Sequence, residues 1–311
     1  MFFTVLSCTV SLLLMMGIGY TLRKTNIITS EAIPVLSGIM VNACMPCLLF
    51  MALQSQQYSS DAMKLIGSGA LIYLLIIGLG FLVGLLLVLA LKKLVPRHHR
   101  GIWIFAMMFP NVGYMGIPLI ESIYGGGPAM FYMAIVNSLF NLAVFAIGTI
   151  IIRMGLEGSG RIEYRKILFN IPVIASLLGI LFFVLGLHIP EIIGQALTRM
   201  GGMTTPIAML IIGAVLSQNR IRDIFKGLSV YILCLMRLLV MPALVFLLLR
   251  PFVSISLVMD IQLILAATPV GVMTAVFAVQ YKADVNLTSR FVFITTVLSI
   301  FTIPLVASVF L

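Results

Sequence analysis

Residues Met108-Phe-Pro-Asn-Val-Gly-Tyr-Met-Gly-Ile-Pro118 interrupt an apolar segment that otherwise has the length and composition of a membrane-spanning helix. Two prolines, two glycines and an asparagine fall within this short stretch. Each interior proline removes a backbone hydrogen bond and costs about 3 kcal/mol in a helix. A polar backbone group freed in hydrocarbon adds a further cost unless protein or water receives it. The stretch therefore predicts a helix broken near its middle, with the break lining a buried site.

A weaker copy of this break recurs at Thr268-Pro-Val-Gly-Val-Met-Thr274. Aligning Asn111-Val-Gly with Pro269-Val-Gly sets an offset of 158 (269 − 111), and Pro46 and Pro206 differ by a similar amount. An offset shared by distant positions indicates an internal duplication. Interrupted spans at corresponding places in two halves are typical of the substrate site of a secondary transporter.

Composition excludes a soluble globular protein. Of the 311 residues, 62% are hydrophobic and 9% are charged, and the mean hydropathy is +1.22. These values predict an all-α polytopic membrane protein. The net charge of +10 does not indicate nucleic-acid binding, because the basic residues lie in short clusters between apolar segments. Ten spans are predicted, at 2–22, 32–54, 65–91, 101–123, 128–152, 167–187, 190–217, 227–249, 258–280 and 288–310.

The basic residues also predict the orientation in the membrane. Most of the 19 lysines and arginines fall in the loops after spans 1, 3, 5, 7 and 9. By the positive-inside rule these loops are cytoplasmic, so both termini of a cell-membrane protein lie outside. A unit of five helices is odd, so the two repeats, 1–155 and 164–311, enter from opposite sides. The expected architecture is an inverted 5+5 repeat in which broken helices 4 and 9 cross.

The sequence contains the motifs Asn42-Ala-Cys-Met-Pro46, residues 110–118, residues 206–217, Arg237-Leu-Leu-Val-Met-Pro242 and Ala267-Thr-Pro-Val-Gly271. These motifs resemble the auxin efflux carrier family, which includes plant PIN transporters and bacterial malonate or malate carriers. The resemblance implies a fold like that of sodium–proton antiporters and bile-acid transporters. It also implies a scaffold of spans 1, 2, 6 and 7, a transport domain of spans 3–5 and 8–10, elevator-type transport, and a homodimer through the scaffold. The chain lacks the large loop of plant members and looks like a compact prokaryotic member.

The two breaks supply the predicted substrate site. Asn111 can offer amide donors and an acceptor to a ligand, or it can cap a half-helix. Half-helix N-termini carry unpaired N–H groups and partial positive charge, which favours a carboxylate. Gly113 is expected to allow close approach of the partner helix. The remaining residues predicted at the breaks are Pro110, Thr268, Pro269 and Gly271.

Asparagines in two other spans are further candidates. Asn137 and Asn141 lie four apart on one face of span 5, which must therefore face the interior of the bundle. They either contact substrate or join helices by hydrogen bonds. Asn42, Pro46 and Pro206 are expected on the scaffold side, with Asn42 bracing span 2.

Arg237 lies near the middle of span 8 and needs a partner there. One reading places carbonyls of a broken helix around it, and the other makes it the charge that compensates a bound carboxylate or replaces a coupling ion. No carboxylate is predicted at mid-membrane, which puts proton coupling in doubt and leaves sodium coupling or uniport open. Glu121 and Asp260, near the outer ends of the broken helices, are the remaining candidates for a carboxylate that relays protons.

Other functional classes find less support. The sequence has no H-E-x-x-H or G-x-S-x-G motif, and its three histidines are predicted in loops, so neither catalysis nor a metal site is expected. Cys44 and Cys47 have the C-x-x-C spacing of a redox or metal pair. The sequence has no second pair and no neighbouring histidine to complete such a site. The predicted function is the transport of a small organic anion, such as a dicarboxylate or an auxin-like acid. An anion channel or a carrier of a neutral solute stays open.

Overall fold

The computed structural model describes residues 2–54, 60–156, 171–217, 228–253 and 255–310. These residues are helical, and their only β-type pairing is one isolated bridge. The basic loop residues 161–166 and 220–226 and the start of predicted span 6 lie outside the described ranges. In chain order the helices are α1 (Phe2–Lys24), α2 (Ala32–Gln54), α3 (Ser60–Ala90), α4 (Arg100–Met108), α5 (Ile117–Tyr124), α6 (Pro128–Ile152), α7 (Ile171–Leu185), α8 (Glu191–Gly202), α9 (Thr204–Leu216), α10 (Leu228–Leu249), α11 (Ser256–Ala267), α12 (Met273–Gln280) and α13 (Val285–Phe310).

Five helical segments within the described residues are long and apolar enough to cross a membrane. They are Ala32–Gln54, Gly67–Ala90, Pro128–Ile152, Leu228–Leu249 and Val285–Phe310. A chain with several such helices is a polytopic membrane protein, as its composition predicted. The count of ten spans and the inverted repeat stay predictions.

The helix breaks fall where the prolines and glycines predicted them. Predicted span 4 consists of α4 and α5, joined by an extended segment and a π turn at Val112–Gly116. Predicted span 9 consists of α11 and α12, which are separated around Pro269. We call α4 with α5 the first interrupted helix and α11 with α12 the second.

Predicted span 7 differs from the single helix that was expected. It consists of α8 and α9, which meet at Met203. Two glycines precede this residue, and glycine lowers helix stability by about 1 kcal/mol. A Cβ atom on Gly201 would lie 2.9 Å from the Leu48 backbone, so α8 packs closely against α2. Pro206 lies in the first turn of α9, where its missing N–H leaves no acceptor unpaired.

The interrupted helices form the centre of the molecule. Every residue of the range 101–120 is buried, and so is every residue of the range 261–271. Small residues let the surrounding helices approach, as at Gly84 of α3, where a Cβ would lie 2.9 Å from the Ile104 Cα of α4. Gly19 of α1 lies directly against the backbone of Leu210 in α9. The breaks therefore lie inside protein, where their backbone groups find partners away from lipid.

Candidate functional site

The two interrupted helices cross at their breaks and pair through the backbone. Pro110 and Val270 form an antiparallel bridge. The Asn111 N–H donates to the Pro269 carbonyl at 2.9 Å, and the Gly271 N–H donates to the Phe109 carbonyl at 3.0 Å. Each break thus donates an N–H to a carbonyl of the other break, and this carbonyl has no donor within its own helix. The bridged residues are 160 apart in sequence (270 − 110), close to the offset of 158 that the motifs suggested.

Gly271 is the glycine that the crossing requires. A Cβ at this position would lie 3.0 Å from the Pro110 carbonyl oxygen and 3.1 Å from that of Phe109. Gly113, which was expected to contact the second interrupted helix, faces other elements. A Cβ there would lie 3.2 Å from Met45 Cε of α2 and 3.8 Å from Asn137 Oδ1 of α6. The expected partner of Gly113 was wrong, because the π turn at Val112–Gly116 directs this position toward α2 and α6.

The second break is held by threonines. The Val270 N–H donates to Thr295 Oγ1 of α13 at 3.1 Å. Thr268 Oγ1 donates to the Leu265 carbonyl at 2.7 Å and so satisfies the end of α11. Pro110, Thr268 and Pro269 therefore build the crossing itself and do not line the space beside it.

A partly open cavity lies beside the crossing, and its free space of about 370 Å³ includes space open to solvent. Its walls are mostly apolar, and its polar side chains are three asparagines and a tyrosine. Gly113 and Tyr114 begin a half-helix here, where a helix leaves its first N–H groups without acceptors of its own. The lining residues are Val41, Met45, Asn111, Gly113, Tyr114, Asn137, Phe140, Asn141, Gly271, Val272 and Met273.

The side chain of Asn111 carries a buried donor without a partner among the described residues. Asn111 occupies the N-cap position of the π turn, but its side chain makes no capping hydrogen bond. Its backbone carbonyl accepts from Met115 and Gly116 instead, at 3.3 and 2.8 Å. The residue is 2% exposed, and its Nδ2 has no hydrogen-bond partner among the described residues. A buried amide donor without a partner is costly, and a bound acceptor would remove that cost.

Asn137 and Asn141 both reach the cavity from α6, and they differ in what they offer. Asn141 Nδ2 donates to the Asn137 carbonyl at 2.7 Å, so that amide is partly engaged by its own helix. Asn137 Nδ2 faces Met45 Sδ at 3.9 Å, and Asn137 Oδ1 is buried without a partner in the described structure. The cavity therefore holds one orphaned donor, on Asn111, and one orphaned acceptor, on Asn137.

Arg237 lies away from the cavity lining, at the C-terminal end of α4. Its side chain is 1% exposed, and Nη1 is 3.5 Å from the Met107 carbonyl oxygen. Nε and Nη2 have no partner within the described ranges. This arrangement matches the carbonyl reading of Arg237, because a helix C-terminus presents partial negative charge.

The acidic candidates form contacts at the ends of the interrupted helices. Thr205 Oγ1 of α9 donates to Glu121 Oε2 of α5 at 2.8 Å. The Tyr124 hydroxyl donates to Asp260 Oδ2 at 3.2 Å, which joins α5 to α11. Both carboxylates lie outside the cavity lining.

Three predicted residues on the scaffold side lie outside the cavity. Asn42 is exposed and donates from Nδ2 to the Gly38 carbonyl at 3.0 Å. Pro46 is buried in α2 directly after a π turn at Met40–Cys44, which re-pairs a ladder that proline interrupts. Pro206 is exposed at the start of α9.

Sequence reasoning missed more than half of the lining. Tyr114, Val272 and Met273 lie inside the two quoted motifs, and Phe140 lies between the paired asparagines, so those motifs held a signal. Met45 lies inside the motif Asn42-Ala-Cys-Met-Pro46, which was assigned to the scaffold side, and Val41 directly precedes that motif. Apolar walls around a few polar groups are usual for small-molecule sites.

Comparison with known proteins identifies relatives along nearly the full chain. The profile of a family described as membrane transport protein matches residues 4–307. An uncharacterized transporter of Methanothermobacter thermautotrophicus is 27% identical over 301 residues, which cover 95% of each chain. An uncharacterized transporter of Saccharomyces cerevisiae is 30% identical over 117 residues, covering 38% of this chain and 18% of that protein.

Proposed function

Because this chain belongs to the membrane transport protein family, the auxin efflux carrier family that its motifs resemble, we propose that it is a secondary transporter of a small organic anion. The family is one of membrane transporters and not of enzymes. The proposed substrate is a carboxylate, bound beside the crossing of the two interrupted helices. The coupling ion, whether sodium or proton, is left unassigned.

The observation that carries this proposal is the chemistry of the cavity. Its lining includes the first turn of a half-helix, at Gly113 and Tyr114, and the unpaired amide donor of Asn111. A helix N-terminus favours negative charge, and free N–H groups fit carboxylate oxygens. In the proposed complex the carboxylate accepts from these donors, while Phe140, Val272 and Met273 contact the apolar body.

Arg237 has an indirect part in this proposal. It lies behind the first interrupted helix, near Met107, and does not line the cavity. We place it as charge compensation for the carbonyl end of α4, so that the half-helix dipoles at the crossing stay aligned toward the anion.

The proposed mechanism is elevator-type alternating access. Helices α1, α2, α7, α8 and α9 act as the scaffold, and the interrupted helices move with α3, α6, α10 and α13 as the transport domain. Packing supports this grouping, because α1 lies along α9, and α2 packs against α7 and α8. The proposed protein is a homodimer through the scaffold in the cell membrane, with both termini outside.

Counterflow in liposomes tests the function. Purified protein is reconstituted with unlabelled carboxylate inside, and uptake of labelled carboxylate is followed from outside. A carrier accumulates label transiently above equilibrium, whereas an anion channel lets it equilibrate without overshoot. Empty liposomes and the Asn111→Ala protein serve as controls.

Two results would contradict the proposal. Transport of neutral solutes in preference to every carboxylate would indicate a neutral-solute carrier, for which the absence of a charged side chain from the described lining is the supporting observation. Conductance that follows the electrochemical gradient without saturation or overshoot would indicate a channel.

A further inference from the structure

We propose that the substrate carries a hydroxyl group on the carbon next to its carboxylate, so that the cavity binds a 2-hydroxycarboxylate with one negative charge and an apolar body. This inference deepens the proposed function and depends on it. It starts from the two orphaned atoms of the cavity, the Asn111 Nδ2 donor and the Asn137 Oδ1 acceptor.

The donor accounts for the carboxylate. Asn111 is 2% exposed, and its Nδ2 reaches no acceptor among the described residues. The adjacent residues Gly113 and Tyr114 open a half-helix on the same wall. Together these groups present N–H donors and partial positive charge, which a carboxylate satisfies and a hydroxyl alone does not.

The acceptor requires a donor on the ligand. Methionine sulfur can only accept a hydrogen bond, so the position of Met45 Sδ, 3.9 Å from Asn137 Nδ2, directs the amide nitrogen toward α2. Asn137 Oδ1 is left buried and unpaired. A carboxylate cannot satisfy this oxygen, because an ionised carboxylate has no proton to donate.

The position of the acceptor sets where the hydroxyl must be. Asn137 Oδ1 lies 3.8 Å from the place that a Cβ on Gly113 would occupy, so it faces the start of the half-helix. A ligand whose carboxylate binds at this start has the neighbouring carbon, and not a distant one, beside Oδ1. An ammonium there would find no counter-charge in the protein, because the described lining contains no carboxylate. A hydroxyl fits without one.

The apolar walls argue for a single charged end. Val41, Met45, Phe140, Val272 and Met273 form most of the remaining lining. A second carboxylate would be desolvated against them without a partner, which is strongly unfavourable. Dicarboxylates are therefore expected to bind more weakly than monocarboxylates of the same length.

Matched pairs of acids test the inference directly. Binding of 2-hydroxy-4-methylpentanoate and 4-methylpentanoate to the purified full-length protein is measured by calorimetry, and lactate with propanoate forms a second pair. The hydroxy acid should bind about tenfold more tightly or better, because the deoxy acid leaves Oδ1 unpaired. Equal affinities within both pairs would overturn the proposal.

A variant locates the effect. In Asn137→Leu the preference for the hydroxy acid should fall to about one, because the buried acceptor is gone. Ser138→Ala is the matched control, since Ser138 Oγ donates to the Ala134 carbonyl at 2.7 Å on the same helix and lies outside the lining. Asn137→Ala, which also lacks the acceptor, serves if the leucine variant does not fold. A preference that persists in a folded Asn137 variant would also overturn the proposal.

The outcome separates this inference from the function it depends on. If liposomes exchange some carboxylate but neither pair shows a preference, the transporter stands and the hydroxyl recognition fails. If no carboxylate is bound or exchanged, the proposed function fails.

Discussion

The cavity is lined by apolar side chains and by two buried amide side chains, each with one atom that has no hydrogen-bond partner among the described residues. Such orphaned polar atoms are rare in folded proteins, because each costs about 1–3 kcal/mol when left unpaired. Asn111 and Asn137 each carry one, and both line the cavity. At the residue scale, these two side chains are where a ligand gains most.

Asn111→Ala is expected to abolish transport with little effect on folding. The side chain makes no capping bond and its Nδ2 has no partner among the described residues, so its removal is expected to cost little stability. One or two hydrogen bonds to a charged group, each of about 1.5–3 kcal/mol, correspond to a tenfold to hundredfold or greater loss of affinity. Counterflow rates and the melting temperature measure the two effects. Asn42→Ala is the control, and normal transport by Asn111→Ala would show that the site is elsewhere.

Gly271→Ala is expected to destabilise the protein more than Gly113→Ala. At Gly271 a Cβ would meet two backbone carbonyl oxygens at 3.0 and 3.1 Å, which cannot move without opening the crossing. At Gly113 it would meet the flexible end of Met45 at 3.2 Å. Thermal unfolding in detergent gives the comparison. A lower melting temperature for Gly113→Ala than for Gly271→Ala would contradict the assigned geometry.

At the scale of elements, two contacts hold the first interrupted helix against the proposed scaffold. The Ser37 and Tyr114 hydroxyls are 2.7 Å apart, between α2 and the π turn at Val112–Gly116. Thr205 bonds Glu121 between α9 and α5. An elevator movement has to break both contacts in every cycle, so they contribute to the barrier between the two states.

The variants Ser37→Ala and Thr205→Val are expected to change the exchange rate severalfold while carboxylate affinity changes little. Neither residue lines the cavity, so the effect falls on the conformational step. Counterflow rates give the first quantity, and calorimetry gives the second. Thr198→Val is a matched control, because Thr198 Oγ1 bonds only the Gly194 carbonyl of its own helix. Unchanged rates in both variants would argue against movement between these elements.

A histidine contact joins the loop before α4 to the loop before α13. His99 Nε2 lies 3.0 Å from Asp284 Oδ2. Burial and the neighbouring His98 lower the pKa of His99 below its ordinary 6.5, and this outweighs the opposite effect of Asp284. Because the unfolded chain then binds the proton more readily, the stabilisation is complete above the ordinary pKa and is lost as the pH falls through the lowered one.

The melting temperature is therefore expected to fall between pH 7.5 and pH 5, and the fall should be smaller in His99→Gln. Glutamine can still donate to Asp284 but does not titrate in this range. His188→Gln, at an exposed histidine, is the control. A steeper loss of stability in His99→Gln than in the original chain would reverse the assigned sign.

At the scale of the whole molecule, the interrupted helices are buried and the other helices enclose them. In the hydrocarbon core of a bilayer, backbone N–H and C=O groups need hydrogen-bond partners within the protein, and this arrangement supplies them. The predicted orientation of the molecule depends on its basic loops and not on its packing.

Labelling from outside the cell tests that orientation. A cysteine at position 126, in the exposed loop between α5 and α6, should react with a membrane-impermeant maleimide on intact cells. A cysteine at position 93, after α3, should react only after lysis. The unmodified chain, in which Cys44 and Cys234 are buried, gives the background. The reverse pattern would place both termini inside.

The sequence by itself determined the membrane class, the positions of the two breaks and the family. These properties depend on local chemistry. A proline lacks its N–H wherever the chain goes, and a run of apolar residues is excluded from water in any packing. The breaks at Pro110 and Pro269 could therefore be predicted without a fold.

Only the tertiary structure decided which side chains share the cavity. Met45 and Val41 reach it from α2. The π turn at Val112–Gly116 directs Gly113 toward Met45, while Gly271 takes the close contact that was expected of Gly113. The orphaned atoms of Asn111 and Asn137 are likewise visible only once every neighbour is placed. Contacts between distant segments depend on helix rotation and register, which the packing of the whole molecule fixes and local sequence does not.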